Sequence, residues 1–354
     1  MVSIRPFEDG DNAAMLDIEK LCPQGNEKYA MGMDKSPDAV ARYKVYDNWG
    51  VLAAEEEGRV AGWIGWTVKH HPVKGRRYVY LTEVNVHPEF QRKGIATKLV
   101  MDVEKNAQKI GSDYVYCYIW EVNDASKALF GKLGYSNLGD FKSCGTPVYK
   151  KVRIAQKFNI GRISKKDIGD VINLINNYYK GRTHFMPYTP ESFKSYVNGI
   201  PAYGLENFWV VKDEGKIVAC AGLWDSSVLG DIYFTKVPFT WKVMGGILGF
   251  LSIFTKMPKM PAEGEYIKTY YITDHAFDHK SPDAMLNLIA YFNNILLDAK
   301  RDFFGTGLDP SDPLPEVIKK LSPQIETFNV FAKALEGDLP DFSPLYIDVR
   351  DLIL

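Results

Sequence analysis

The stretch from Val84 to Thr97 constrains the fold of this chain more than any other part of the sequence. An apolar, β-prone run over residues 78–86 ends at a His-Pro pair, where proline cannot donate a hydrogen bond to a strand ladder. A basic turn follows at residues 91–94 (Gln-Arg-Lys-Gly), and apolar residues then recur at helical spacing as far as Ile110. The sequence therefore predicts a strand, a short loop and a helix, as in an α/β protein.

The start of that helix has the properties of an anion-binding site. The first N–H groups of a helix lack internal partners and carry the positive end of the helix dipole. Gly94 lets a phosphate approach the backbone closely, and Arg92 and Lys93 add positive charge. The alternative is an ordinary strand–helix turn with solvated basic residues. The nucleotide P-loop pattern does not fit this turn.

Two motifs resemble those of the GCN5-related N-acetyltransferase (GNAT) superfamily. Residues 91–96, Gln-Arg-Lys-Gly-Ile-Ala, are similar to its Gln/Arg-x-x-Gly-x-Gly/Ala signature. Residues 123–135 resemble its Asn-x-x-Ala/Ser-x-x-Leu-Tyr-x-Lys-x-Gly-Phe/Tyr helix. The resemblance is strong over residues 2–152. It implies a mixed central sheet whose fourth and fifth strands splay apart, with the pantetheine arm of coenzyme A bonded to the fourth strand in the gap.

The same resemblance implies acetyl-CoA, or another acyl-CoA, as the co-substrate. No metal is expected, because the four cysteines include no C-x-x-C pair. The residues expected to bind it belong to the fourth strand, the basic turn with the helix start, and the second motif: Val84, Val86, Gln91, Arg92, Lys93, Gly94, Ile95, Ala96, Thr97, Asn123, Ser126 and Phe130.

Composition narrows the class of protein. A length of 354 residues is typical of about two domains. A net charge of -1 gives no support for nucleic-acid binding. Four cysteines without a C-x-x-C pair suit a reducing compartment, so we expect a cytoplasmic protein. No signal peptide or transmembrane segment is predicted.

The second half repeats the first weakly. The pairs Arg5/Arg162 and Gly65/Gly222 lie in similar contexts and are both separated by 157 residues, which indicates a duplicated unit. We therefore predict a GNAT domain over residues 1–152 and a degenerate GNAT-like domain over 153–354.

The second half has no counterpart of the basic turn. The corresponding residues, 274–282, contain no glycine and carry Asp274 and Asp278 where phosphates would lie. This half is expected not to bind coenzyme A in the same way, and instead to shape the acceptor pocket or pack against the first half. His275 and His279 are four residues apart, but a turn before a helix is a better interpretation than a metal site.

An apolar run over residues 243–254 is too short to span a bilayer. It is interpreted as a buried or lid helix. The alternative is a surface for an apolar partner, an acyl chain or a membrane.

Acyl transfer to an amine needs a base, an oxyanion donor and an acid for the leaving thiolate. The resemblance implies a backbone N–H near Val86 as the oxyanion donor. The tyrosine that commonly serves as the acid is replaced by Phe130. Tyr80 and Tyr118, on the two splayed strands, are candidate substitutes. The alternative is that both are ordinary half-buried strand tyrosines.

Glu83 is the first candidate base, because a carboxylate in an apolar strand is expected to have a raised pKa. Strict alternation places it opposite Tyr80, whereas a β-bulge would reorient it. Glu121 is the reserve base. Cys117 would imply a covalent acyl-enzyme, but core packing is the preferred interpretation of that residue.

Taken together, these features predict an N-acyltransferase that moves an acyl group from acyl-CoA to a primary amine of a small molecule or peptide. The attack is expected to be direct, in a ternary complex. The alternative is a non-catalytic acyl-CoA-binding or regulatory module.

Overall fold

A computed structural model describes residues 2–71, 75–251 and 261–352, with the backbone alone described at 247–251. The described residues form eight α-helices: α1 (Asn12–Leu21), α2 (Ile95–Lys109), α3 (Asp124–Lys132), α4 (Ile168–Tyr178), α5 (Pro190–Gly199), α6 (Phe239–Leu251), α7 (Pro282–Asp298) and α8 (Leu314–Ile318). The predicted helix after the basic turn is therefore confirmed as α2.

The strands alternate with these helices along the chain, and the described residues form sixteen. In the first part they are β1 (Ser3–Pro6), β2 (Gln24–Gly25), β3 (Ala30–Asp34), β4 (Trp49–Glu56), β5 (Arg59–His71), β6 (Arg76–Val86), β7 (Tyr114–Trp120) and β8 (Ser136–Pro147). In the second part they are β9 (Asn159–Arg162), β10 (Phe208–Asp213), β11 (Lys216–Asp225), β12 (Asp231–Lys236), β13 (Tyr266–Ile267), β14 (Thr269–Phe277), β15 (Phe303–Leu308) and β16 (Gln324–Ala334).

Twelve of these strands form one continuous sheet with the order β1-β4-β5-β6-β7-β16-β8-β15-β14-β11-β10-β9. From one edge, the first four strands (β1, β4, β5 and β6) are antiparallel neighbours, and the fourth pairs in parallel with β7. From the other edge, β9, β10, β11 and β14 are antiparallel neighbours in the same way, and β14 pairs in parallel with β15. The tandem arrangement indicated by the repeat is therefore visible in the sheet. A second sheet, β13-β12-β3-β2, joins the two halves beside it.

The two halves exchange a strand at the centre of the large sheet. Strand β16, from the C-terminal part of the chain, pairs with β7 of the first half. Strand β8 pairs with β15 of the second half. Residues 136–147 form the single strand β8.

The sheet has two differently packed faces at β7. Val115, Cys117 and Ile119 pack with the apolar face of α2 in one buried cluster. Tyr114 and Tyr116 alternate with them and join a cluster on the opposite face that includes Phe342, Leu345 and Ile347. Helix α2 and the C-terminal segment thus lie on opposite sides of β7.

Part of the apolar run at 243–254 belongs to α6. Its residues 252–254, and the side chains of Leu248 and Phe250, lie outside the described residues. Within the described ranges, every helix falls short of the length and apolar character that crossing a membrane requires.

Candidate active site

The parallel strands β6 and β7 separate in the middle of the sheet. They pair from Tyr78–Tyr114 to Leu81–Cys117, and the pairing stops there. Beyond that point β6 continues to Val86 on its own side, while β7 follows its other neighbour, β16. The predicted splay between these strands is therefore present.

A β-bulge lies on β6 directly after the last paired residue. Thr82 pairs with Gly65 and Asn85 with Trp63, so two residues of β6 lie opposite one residue of β5. Glu83 is the first of the two and has φ of 58°, which turns its side chain out of the alternating pattern. Of the two arrangements considered for Glu83, strict alternation and a β-bulge, the structure has the bulge.

The Glu83 carboxylate is completely buried and lies between two cations. Lys35 and Tyr43 both donate short hydrogen bonds to it, and Arg42 donates from 2.7 Å. Gly65 is required for this arrangement, because a Cβ there would lie 1.9 Å from the Tyr43 hydroxyl.

The predicted raised pKa of Glu83 is wrong. Burial by itself raises the pKa of this carboxyl group, but the charges of Lys35 and Arg42 outweigh burial and lower the pKa below its usual value. A carboxylate stabilised in this way is a weak proton acceptor. Glu19, which lies 3.0 Å from Lys35, has the opposite shift, because burial raises its pKa.

The N-terminus of α2 is open, as an anion site requires. Gly94 precedes the helix with φ of 78°, Arg92 has φ of 61°, and no described side chain caps the first turn. A Cβ built on Gly94 has no neighbour within 4 Å, so space is free beside the backbone. Gln91 is directed inward and donates to the Val86 carbonyl at 3.1 Å.

Lys93 departs from the expected arrangement. Its ammonium lies 3.5 Å from Glu56 and 4.8 Å from the centre of the Phe90 ring, and it does not line the cavity described below. Arg92 does line that cavity.

The second motif has both structural and cavity-lining residues. The Asn123 side chain caps α3 by accepting from the Ser126 backbone N–H at 3.1 Å. Phe130 is buried against Tyr135, edge to face, at 5.0 Å between ring centres. All three motif residues, Asn123, Ser126 and Phe130, also line the cavity.

A cavity of about 690 Å³ passes between the separated strands. Except for Lys93 and the reserve base Glu121, every residue predicted to bind coenzyme A or to act in catalysis lines it. It begins at the start of α2 and α3 and reaches residues of the second half, including Tyr271, Phe304 and Phe234. The expectation that the second half shapes the pocket agrees with this lining.

The two candidate tyrosines have different environments. The Tyr80 hydroxyl donates to the Asp351 carbonyl oxygen at 3.0 Å. The Tyr118 hydroxyl is buried and has no hydrogen-bond partner among the described residues. Burial raises the pKa of both groups, so both are protonated at neutral pH. Burial also raises the pKa of the Cys117 thiol. Cys117 is therefore unsuitable as a nucleophile, because the reactive form of cysteine is the thiolate.

Asp351 is a cavity residue that the sequence analysis missed. Its carboxylate accepts from Lys69 at 2.6 Å, from Tyr46 at 2.6 Å and from Tyr116 at 3.2 Å. Burial nevertheless keeps its pKa above the usual value. No local motif marks this aspartate, because its partners lie more than 230 positions earlier in the chain.

The counterpart of the open helix start is closed in the second half. The Asp278 carboxylate accepts from the Lys280 backbone N–H at 2.9 Å, and Pro282, which has no N–H, begins α7. His275 is buried, with its ring nitrogens 3.1 Å from the Tyr179 hydroxyl and 3.3 Å from Asp312. His279 stacks on Tyr178 instead.

Comparison with known proteins agrees with this geometry. The sequence profile of the Acetyltransferase (GNAT) family matches residues 14–135. "Acetyltransferase plu1384" of Photorhabdus laumondii is 31% identical over 136 residues, which are 38% of this chain and 87% of that protein. The chain therefore belongs to the GNAT acetyltransferase family, whose members use acetyl-CoA or another acyl-CoA.

A second relative extends into the C-terminal half. "Probable N-acetyltransferase HLS1" of Arabidopsis thaliana is 24% identical over an alignment of 269 residues that covers 69% of this chain. The match spans 64% of the plant protein, slightly less than two thirds of its length.

Solved structures reproduce the fold of both halves. A tandem GNAT protein from the clavulanic acid biosynthesis pathway aligns with a TM-score of 0.63 at 11% identity, covering 96% of this chain and 100% of that one. Saccharomyces cerevisiae N-myristoyltransferase with bound myristoyl-CoA aligns with a TM-score of 0.59 at 12% identity, covering 97% and 84%. At this identity the likeness concerns the fold.

Proposed function

We propose that the protein is an acyl-CoA-dependent N-acyltransferase, with acetyl-CoA as donor and a primary amine of a small molecule or peptide as acceptor. The observation that carries the proposal is the open, uncapped start of α2 beside a cavity that passes between the separated strands. Donor and acceptor can approach such a cavity from opposite faces of the sheet. That geometry supports direct attack in a ternary complex.

In this proposal the diphosphate of the donor binds to the backbone N–H groups of residues 94–97, and Arg92, directly before that helix start, supplies positive charge. Lys93 is not proposed to contact the diphosphate, because it pairs with Glu56, and it contributes only to the electrostatic potential around the helix start. The pantetheine arm lies against Val84 and Val86, and Asn123, Ser126 and Phe130 form the opposite wall.

Tyr118 is the proposed acid for the leaving thiolate. Its hydroxyl is protonated and has no described partner to compete for the proton. Tyr80 is a weaker candidate, because its proton is already donated to the Asp351 carbonyl. Tyr80 instead positions the C-terminal segment beside the cavity.

Asp351 is the proposed base, in place of Glu83. It lines the cavity on the same sheet face as Tyr80 and Tyr116, and burial raises its pKa towards the range of an effective proton acceptor. In the reaction it takes the proton that the amine nitrogen loses on attack, while Tyr118 protonates the sulfur that leaves. Glu83 positions Lys35 and Arg42 around the bulge.

The second half, residues 153–354, is proposed to complete the acceptor side without binding coenzyme A. Asp278 and Pro282 remove the anion site at the corresponding helix start. Four free cysteines are compatible with the proposed cytoplasmic location.

The test has two measurements. Calorimetry with acetyl-CoA should give one site per chain, and a thiol assay with a panel of primary amines should detect release of free coenzyme A. Binding without release by any amine would favour the alternative, a non-catalytic acyl-CoA-binding module. Absence of binding would contradict both.

Two variants then test the assigned roles. Tyr118→Phe and Asp351→Asn should each lower kcat about 100-fold or more while acetyl-CoA affinity changes little, as expected for loss of a general acid or base. In the wild type, the acidic limb of the rate profile should lie above pH 3.8, the usual value for aspartate, because the pKa of Asp351 is raised. A limb that persists unchanged in Asp351→Asn would contradict the assignment.

A further inference from the structure

The cavity is lined by charges of both signs. Arg92, which lies just before α2, and Lys132, the last residue of α3, line it, and so does Arg42, which pairs with Glu83. Three carboxylates line it as well: Glu83, Asp351 and Glu326. A cationic ligand group is favoured beside a carboxylate of this lining that has no cation partner.

Two of these carboxylates are already paired with cations. Glu83 is bonded to Lys35 and Arg42, and Asp351 is bonded to Lys69. Glu326 differs, because the described hydrogen-bond partners of its carboxylate are both neutral. Of the three, it is therefore the carboxylate that has no cation partner among the described residues.

Two neutral donors hold the Glu326 carboxylate in one orientation. The Tyr29 hydroxyl donates to Oε1 at 3.0 Å, and the Trp120 indole N–H donates to Oε2 at 3.1 Å. Each oxygen keeps a second acceptor position. Because Glu326 is only half-buried, its remaining acceptor positions are open to the cavity.

Aromatic rings surround this carboxylate. Tyr29, Phe234 and Phe328 line the cavity beside it, with 5.6 Å between the centres of the stacked Tyr29 and Phe234 rings. Trp120 contacts Tyr29 from behind, edge to face, at 4.7 Å. A carboxylate among aromatic faces is the chemistry that binds organic ammonium groups, through a charge-assisted hydrogen bond and cation–π attraction.

Both halves of the molecule build this site. Tyr29 lies between β2 and β3, Phe234 lies on β12 of the second half, and Glu326 lies on the exchanged strand β16. Trp241 of α6 packs on Tyr29 and Phe234, with ring centres 5.1 and 5.7 Å apart, and so covers the group. Glu326 reaches the first half because β16, the strand that carries it, pairs with β7.

We propose that Glu326, with Tyr29, Phe234 and Phe328, forms a subsite for a positively charged ammonium group of the acceptor. The proposal rests on the proposed function and makes it more specific. Such a subsite would favour aliphatic amines, which are protonated in solution, over acceptors with a neutral hydroxyl group or an aromatic amine.

The test compares two probes of nearly equal size, n-butylamine and n-butanol, which differ in charge at pH 7.5. Binding of each to the full chain is measured by NMR titration, with and without saturating coenzyme A. The wild type should bind the amine about ten-fold more tightly than the alcohol. Equal affinities, or no binding of the amine, would overturn the proposal.

Variants locate the effect. Glu326→Gln keeps the shape and should remove the preference for the amine, and Tyr29→Phe, which keeps the ring, should weaken it by a smaller factor. The matched control is Glu336→Gln, which makes the same charge change at an exposed position of the segment after β16 and should leave the preference intact. Retention of the preference in Glu326→Gln would overturn the proposal.

Failure of this proposal differs visibly from failure of the proposed function. Acetyl-CoA affinity of the same variants reports on folding and on the donor site. If acetyl-CoA does not bind, the proposed function fails, while the amine preference of the free protein still decides the role of Glu326.

Discussion

The two halves of the molecule build the same β-bulge and surround it with opposite chemistry. Glu83 follows Thr82 in the first half, and Asp274 follows Thr273 in the second, each with positive φ and each opposite a register shift. Glu83 is held by two cations and Tyr43. The Asp274 carboxylate is held by the hydroxyls of Tyr188, at 3.2 Å, and Tyr346, at 2.7 Å.

This difference teaches that two acids with the same position and similar burial can have opposite pKa shifts when their partners differ. Both carboxylates are deeply buried. The cations lower the pKa of Glu83, whereas burial among tyrosines raises the pKa of Asp274 to about 6. The first half therefore carries a fixed ion cluster at its bulge, and the second half carries an acid that titrates near neutral pH.

The largest expected effect is on the stability of the first half. Glu83→Gln should lower the free energy of unfolding by about 3 kcal/mol, because it leaves Lys35 and Arg42 buried with too little negative charge. Urea unfolding measures it. A loss below about 1 kcal/mol would mean that water reaches this cluster and that the contrast between the two bulges is small.

The helix starts give the next contrast. Gly94→Glu should weaken acetyl-CoA binding at least 100-fold, because a carboxylate then lies beside the open N–H groups of α2. Gly215→Glu is the matched control, since Gly215 has a similar positive φ of 84° and open space but lies in a turn of the second half. Full affinity in the Gly94 variant would remove the basis of the donor site.

Asp274→Asn should act in the opposite direction to Glu83→Gln. The folded pKa of about 6 exceeds the usual 3.8, so the stability that this group contributes is complete below about pH 4 and is lost as the pH rises through 6. The uncharged amide of Asn avoids that loss, so the variant should have a free energy of unfolding about 1–2 kcal/mol higher at pH 7.5. The gain is smaller than the full effect of the pKa shift, because the buried NH2 group of the new side chain has no hydrogen-bond partner.

The same variant should show no advantage at pH 4. Thermal unfolding at the two pH values checks this, with Asp213→Asn, a partly exposed strand residue, as the control. Equal gains at both pH values would show that Asp274 does not titrate in this range.

The smallest effect is expected at the closed helix start. Asp278→Asn should change acetyl-CoA affinity less than threefold and leave one site per chain, because Pro282 still lacks an N–H at the first position of α7. A second binding site in this variant would mean that the aspartate alone keeps the second half from binding.

Local patterns predicted much of the first half. The strand ending at Val86, the helix α2 and the capped start of α3 all depend on residues adjacent in sequence. The spacing of Gly65 and Gly222 had a physical cause as well, because a Cβ at either position would collide with a tyrosine hydroxyl, that of Tyr43 or Tyr203.

The remaining features depend on contacts between distant residues. The pKa of Glu83 is set by Lys35 and Arg42, which come from a stretch without a regular pattern. Asp351 and Glu326 reach the cavity only because the end of the chain returns to the first half, and alternation along a strand does not reveal which strand lies beside it.

The exchange of β8 and β16 has a consequence for how the protein is made. During synthesis, the edge of β7 that pairs with β16 stays unpaired until residues 324–334 have emerged from the ribosome. These residues come more than 200 positions after β7 in the sequence. Exposed strand edges invite wrong partners. A gene fragment encoding only residues 1–152 should therefore yield insoluble material, whereas coexpression with the remaining residues should restore a soluble complex.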